Sequence, residues 1–137
     1  MKNPYTQVSN QYKSIELQTR IDTASPHELI ELLLQGARSH IATAQGNIQR
    51  NQIKDKGEHI GKAISIVEGL KSSLNQDQGG EIAVNLLKIY DYIQHILLKA
   101  NLNNDEDLLA QSNMLLAEIH QAWQAINSST ESPEIPK

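Results

Sequence analysis

The sequence predicts an all-α protein: an antiparallel up-and-down four-helix bundle with an N-terminal lead segment packing on it. Three observations carry this. No proline stands between Pro26 and Pro133, and an interior proline costs a helix about 3 kcal/mol. Leu, Ile, Ala, Gln and Asn dominate that stretch, and Phe is absent. Apolar residues recur there at spacings of three and four, the period of one helical face, in blocks separated by short polar turns.

The elements follow in order. Residues 1–24 form a polar lead with spaced apolar positions at Tyr5, Val8, Tyr12, Ile15, Leu17 and Ile21. Ser25-Pro26-His27-Glu28 then reads as a helix start. Ser is a good N-cap, Pro suits the first helical position, and Glu three residues after the Ser completes a capping box. The first helix is expected over 26–51, with Ile30, Leu33, Ala37, Ile41, Ala44 and Ile48 inward and Leu29, Leu32 and Leu34 widening the face at its start. A turn at 51–55 leads to a second helix over 56–75, whose inner face is Ile60, Ala63 or Ile64, Val67, Leu70 and Leu74. Gly57, Gly61 and Gly69 weaken it by about 1 kcal/mol each against Ala, which close packing of a neighbouring backbone would offset. Residues 75–80, ending Gly79-Gly80, read as a loop. The third helix is expected over 81–101. A turn at 101–105, with Asn103 or Asn104 as cap, leads to a fourth over 105–127. The core of that last helix is read as Leu108, Leu115, Ile119, Ala122 and Ile126, with Leu109, Leu116 and Trp123 as an adjoining stripe. The domain reading is a lead at 1–24, a bundle at 25–127 and a disordered tail at 128–137.

Composition excludes several functions. The chain has 137 residues, room for one domain, with 12 Lys+Arg against 16 Asp+Glu and a net charge of −4. An acidic chain without a basic block is poorly suited to nucleic acid, where phosphate neutralisation supplies most of the affinity. Cysteine is absent, which removes disulfides, thiolate metal sites and cysteine nucleophiles together. No apolar run approaches the ~18 residues of a membrane span, and Met1-Lys2-Asn3-Pro4-Tyr5 lacks a signal-peptide core. A cytoplasmic protein without membrane insertion is expected.

Catalytic and metal motifs are weak. A di-iron bundle needs Glu-x-x-His pairs, but Ala24, Ala37, Lys56, Tyr92 and Ala117 stand three residues before the five histidines. Neither a metal nor a cofactor is expected, and the histidines read as solvated. One of them suggests an alternative: His59-Ile60-Gly61-Lys62 has the His-x-x-Lys spacing of histidine phosphotransfer bundles, with Lys62 one turn away to balance phosphoryl charge. Asp105, Glu106 and Asp107 fall where a helix N-terminus favours negative charge, which explains them without catalysis.

Excess apolar surface is more informative. The third helix carries three adjoining heptad columns: Ile82/Ile89/Ile96, Ala83/Tyr90/Leu97 and Leu86/Ile93/Ala100. With Leu87 and Leu98 as a further edge, they span roughly 200° of the helix, about twice what a core-facing stripe needs. Either the lead buries this helix deeply, or part of the arc is a groove for a partner's apolar segment. On the groove reading, Ile82, Leu86, Ile89, Ile93 and Ile96 line it, Ile66 and Leu70 on the second helix form the opposite wall, and Tyr12 and Ile15 gate or complete it. A helix-binding adaptor is a further alternative, and the free chain could pair with a second copy through the same apolar surface.

The order of motifs resembles one known family. Tyr12, then Thr23-Ala24-Ser25-Pro26-His27-Glu28-Leu29-Ile30 and Gly36-Ala37, is similar to the flagellin-specific export chaperones (FliS). So are Lys62 to Val67, Gly79 to Leu86, Ile89-Tyr90-Asp91-Tyr92-Ile93, Leu98 to Asn101 and Ala122-Trp123. The chain departs at Leu34-Gln35, where the family has an aromatic then Asp, and at Ile93, where it has Met. The resemblance implies a non-enzymatic protein that binds the C-terminal segment of flagellin in the cytoplasm. It would prevent premature polymerisation and deliver the client to the flagellar type III export apparatus. The export gate and the flagellar anti-sigma factor are further implied partners.

Overall fold

Ser25 opens the first helix as the capping box requires. Its hydroxyl accepts the Glu28 amide at 3.1 Å, and the Glu28 carboxylate accepts the Ser25 amide at 2.9 Å. The computed structural model describes residues 25–74 and 76–131, with side chains described for 25–74 and 79–126. These form four helices: α1 (Pro26–Gln49), α2 (Ile53–Ser72), α3 (Gln76–Asn103) and α4 (Glu106–Glu131). The lead segment, including Tyr12 and Ile15, and residues 132–137 lie outside the described residues.

Each helix packs on its neighbours in sequence, and α1 also packs on α4. That closes a ring of four with α1 opposite α3, the arrangement that short connections impose on antiparallel helices. The expected bundle is therefore present. Two turns rest on asparagines in the left-handed region, Asn51 at φ 58° and Asn104 at φ 52°, a conformation Asn tolerates better than most side chains. The cap of α4 is neither Asn103 nor Asn104: the Asp105 carboxylate accepts the Leu108 amide at 3.2 Å.

The start of α3 differs from the expected loop. Helical turns begin at Gln76, and the break falls at one residue, Gly80, with φ 55° and ψ −128°. A side chain is strained at that backbone geometry, so α3 is two helical pieces meeting at a glycine kink. The glycines of α2 also differ from expectation. A Cβ at Gly61 would meet nothing within 4 Å, and at Gly69 it would only touch Leu33 at 3.9 Å. No close backbone approach requires them.

Leu34, Ile41, Ile60, Leu70, Ile93, Leu97, Leu109 and Leu116 fill the core. In α1 and α2 the expected faces turn inward, with Ile30, Leu33 and Ile48 at the margin. In α4 the face is rotated. Leu109, Ser112, Leu116 and His120 are buried, whereas Ala122 and Ile126 are exposed, Ile126 at 53%. The reason is polar satisfaction. Ser112 Oγ donates to the Leu109 carbonyl at 2.8 Å. His120 spans Glu31 Oε2 at 2.7 Å and Arg38 Nη1 at 2.8 Å. Polar groups so bonded enter a core without the penalty of an unpaired group, and they carry the inner face of α4 across positions that apolar periodicity skips. His120 is thus buried, not solvated. Lys56 is buried as well, at 4% exposure. Its ammonium donates to the Asn101 carbonyl at 2.9 Å and to Asn101 Oδ1 at 2.8 Å. A lysine of α2 thereby caps the C-terminal end of α3, where the helix dipole favours a cation.

Candidate functional site

In an up-and-down bundle, the starts of α1 and α3 share one end with the finishes of α2 and α4. At that end lies an open apolar groove of about 670 Å³. The first turns of α1 supply Leu29, Ile30 and Leu34, the widened face noted in the sequence. Facing them across the groove, α3 supplies Ile82, Ala83, Leu86 and Tyr90. Leu74 after α2 and Ile119 and Trp123 of α4 close the remaining sides.

The kink at Gly80 precedes this wall, and Gly79 lines the groove directly. Ile82 is 72% exposed, a large aliphatic side chain left in water beside a cavity of its own chemistry. Tyr90 is buried on the groove floor, and burial pushes its phenol up to about 12, so the floor carries no charge at neutral pH. Trp123, the single tryptophan, is fixed in place. Its indole N–H donates to the His27 carbonyl at 3.1 Å, and its ring stacks on the His27 ring at 4.3 Å and 17°. His27 Nε2 is buried in this wall without a hydrogen-bond partner. An apolar trough with a fixed aromatic at its edge suits an apolar segment of another chain. It holds no paired carboxylates, and the Ser73 hydroxyl on its lining donates to the Leu70 carbonyl at 2.7 Å; among the described residues no group of three or more His, Cys, Asp or Glu could hold a metal.

The structure divides the expected site residues. Ile82 and Leu86 line the groove. Ile89, at 36% exposure, lies on the outer surface of α3. Ile96 is buried, because the column that begins at the exposed Ile82 turns into the bundle along the helix, and Ile93, in the column of Leu86, is buried as well. Leu70 is a core residue, and half-buried Ile66 lies beside Gly36 of α1. Neither is among the residues that line this groove. Tyr12 and Ile15 are outside the described residues. Sequence reasoning missed Ile30, Tyr90, Ile119 and Trp123. The available signal was topological: apolar residues at the starts of odd helices and the finishes of even ones meet at one end. His59, the phosphotransfer candidate, has its Nδ1 2.9 Å from His40 Nδ1.

Comparison with known proteins gives a consistent result. Residues 8–130 match the family described as flagellar protein FliS. The chain is 41% identical over 117 residues to flagellar secretion chaperone FliSB of Pseudomonas aeruginosa, covering 85% of this chain and 93% of that protein. It is 41% identical over 117 residues to flagellar secretion chaperone FliS of Salmonella typhimurium, covering 85% and 87%. It is 31% identical over 129 residues to the FliS of Bacillus subtilis, covering 93% and 90%. Among the described residues no helix is long and apolar enough to cross a membrane.

Proposed function

The chain belongs to the FliS family of flagellar proteins, and on that premise we propose that it is a flagellar secretion chaperone whose client is the C-terminal segment of flagellin. Its function is non-enzymatic. The observation that carries this reading is the open groove with Ile82 standing 72% exposed at its side. A filament subunit polymerises through apolar surface, and a chaperone that delays polymerisation must cover such surface. An unfolded apolar segment would lie in the groove and fold as it binds. The client would be held in the cytoplasm until the flagellar type III export apparatus receives it. The export gate and the flagellar anti-sigma factor are further partners in this proposal. Ile82 and Leu86 contact the client directly, Ile89 extends the contact outward, and Ile93, Ile96, Ile66 and Leu70 hold the walls. Tyr12 and Ile15 complete or gate the site. A second copy of the chain is the competing occupant when no client is present.

Calorimetric titration with a flagellin C-terminal peptide, followed by circular dichroism of the mixture, tests the reading. Tight one-to-one binding with a negative heat-capacity change and added helicity is expected. No heat across several flagellin termini, with the bundle folded, would refute it. Equal affinity for unrelated amphipathic helices would reassign the chain as a general helix-binding adaptor.

A further inference from the structure

Polar contacts along the seam between α1 and α4 converge on one imidazole. Glu31 and Arg38 stand two turns apart on one face of α1, with the fully buried Leu34 of the groove between them. The buried His120 ring of α4 enters that face. Its Nδ1 lies 2.8 Å from Arg38 Nη1, and its Nε2 lies 2.7 Å from Glu31 Oε2. The partners fix the proton. A guanidinium only donates, so Nδ1 is a bare acceptor; an ionised carboxylate only accepts, so Nε2 carries the hydrogen. His120 is therefore the neutral Nε2–H tautomer, a relay between a cation and an anion. Gln124 adds an amide donor to the same Glu31 oxygen at 3.2 Å. On either side of the ring in sequence stand Ile119 and, three residues on, Trp123, which both line the groove.

We infer that His120 is a positioning residue for the groove's aromatic wall: its neutral tautomer clasps α4 to α1 and so seats Trp123, and an added proton on the ring releases the clasp. That proton would sit on Nδ1 and face an Arg38 N–H across 2.8 Å, two donors with no acceptor. Arg38 has no acceptor in reserve, because its Nε is already buried without a partner. Glu31 can hold the charged ring but cannot replace what Arg38 loses. The charged groups bonded to the ring are Glu31 and Arg38, both of α1. Its neighbour on α4 itself is the neutral Gln124 amide, 3.4 Å from Nε2, and α3 bonds it nowhere among the described residues. The consequence for client binding rests on the chaperone reading; the clasp does not.

The test uses the single tryptophan of the full chain, whose near-ultraviolet circular dichroism reports fixed side-chain packing. Between about pH 7.5 and about pH 5.5, where imidazoles change charge, the signal of the unaltered chain should fall while far-ultraviolet helicity holds. His120→Gln supplies an amide that still accepts from Arg38 and donates to Glu31 but does not titrate, and its signal should hold at both pH values. Every other imidazole is common to the two chains. An equal fall in both, or no fall in the unaltered chain, overturns the clasp. Nitrogen NMR of the unaltered chain needs no substitution: at the higher pH His120 should carry its proton on Nε2 alone, and a proton on Nδ1 overturns the assignment. Flagellin-peptide titration then reads the groove. Acid should weaken binding about tenfold in the unaltered chain, the scale of one lost hydrogen bond to a charged group, and by less than about twofold in His120→Gln. An equal loss in both overturns the positioning role. No binding by the unaltered chain at the higher pH would refute the chaperone reading, and the tryptophan signal would still decide the clasp.

Discussion

Replacing Ile82 with Ala separates groove from core most directly. Full burial of an Ile side chain contributes about 1.5–3 kcal/mol. Ile82 remains 72% exposed in the folded chain, so most of that contribution is still available to a partner. Covering it on binding should yield about 1–2 kcal/mol, and Ile82→Ala should weaken flagellin-peptide affinity about 5- to 30-fold. The same substitution removes little from the fold, and the unfolding free energy should fall by no more than about 1 kcal/mol. Ile93, on the same helix, has no exposed area. Ile93→Ala should destabilise the bundle by about 2–5 kcal/mol through the cavity it leaves. The assay pairs calorimetric titration with urea unfolding on both variants. Ile82→Ala with unchanged affinity would refute the placement of Ile82 in the binding surface. A stability loss as large as that of Ile93→Ala would refute its assignment as solvent-facing.

Three other substitutions probe the frame around the groove. Gly61→Ala should stabilise the chain by about 0.5–1 kcal/mol in urea unfolding, because helix propensity improves and the added methyl meets open space; destabilisation would mean an unseen close contact. Lys56→Met keeps the aliphatic stem but leaves the Asn101 carbonyl and amide oxygen without their donor, and should cost about 1–3 kcal/mol by the same measurement. His40 titrates below its ordinary value of 6.5, first through burial and then through His59 and Lys62. The unfolded chain therefore binds this proton at higher pH than the folded one. Stability from this group is complete above 6.5 and declines as pH falls toward the folded value. Urea midpoints at about pH 7.5 and about pH 5.5 should differ less in His40→Gln than in the unaltered chain; an equal difference would place the acid sensitivity elsewhere.

Much of the frame was readable because local signals were strong and agreed. Ser25, Pro26 and Glu28 specify a helix start by chemistry that needs no tertiary partner. Ile60, Ala63, Val67 and Leu70 repeat at helical spacing and turn inward together. The inner face of α4 was less readable because Ser112 and His120 lie on it, and only their partners make them core residues. Those partners include Glu31 and Arg38 on α1, which periodicity along α4 does not contain. The excess apolar width of α3 was visible, and Ile82 and Leu86 followed from it. The division between them and Ile93 was not, because it depends on how deeply α3 settles against α2 and α4 along its length. The groove is assembled from four helix ends, so no single segment carries its outline.

The bond from Trp123 to the His27 carbonyl also shows where the bundle begins and finishes in space. The start of α1 and the last turns of α4 sit side by side at the groove rim, while the turns at Asn51 and Asn104 occupy the far end. The bundle therefore suits circular permutation: a short linker could join the ends of the helical region, and the chain could be reopened at the Asn104 turn, an exposed site of the kind that tolerates new termini. Such a molecule would carry both of its free ends, and any tag or dye attached to them, away from the groove. In the natural order of helices, the helical region itself begins next to it.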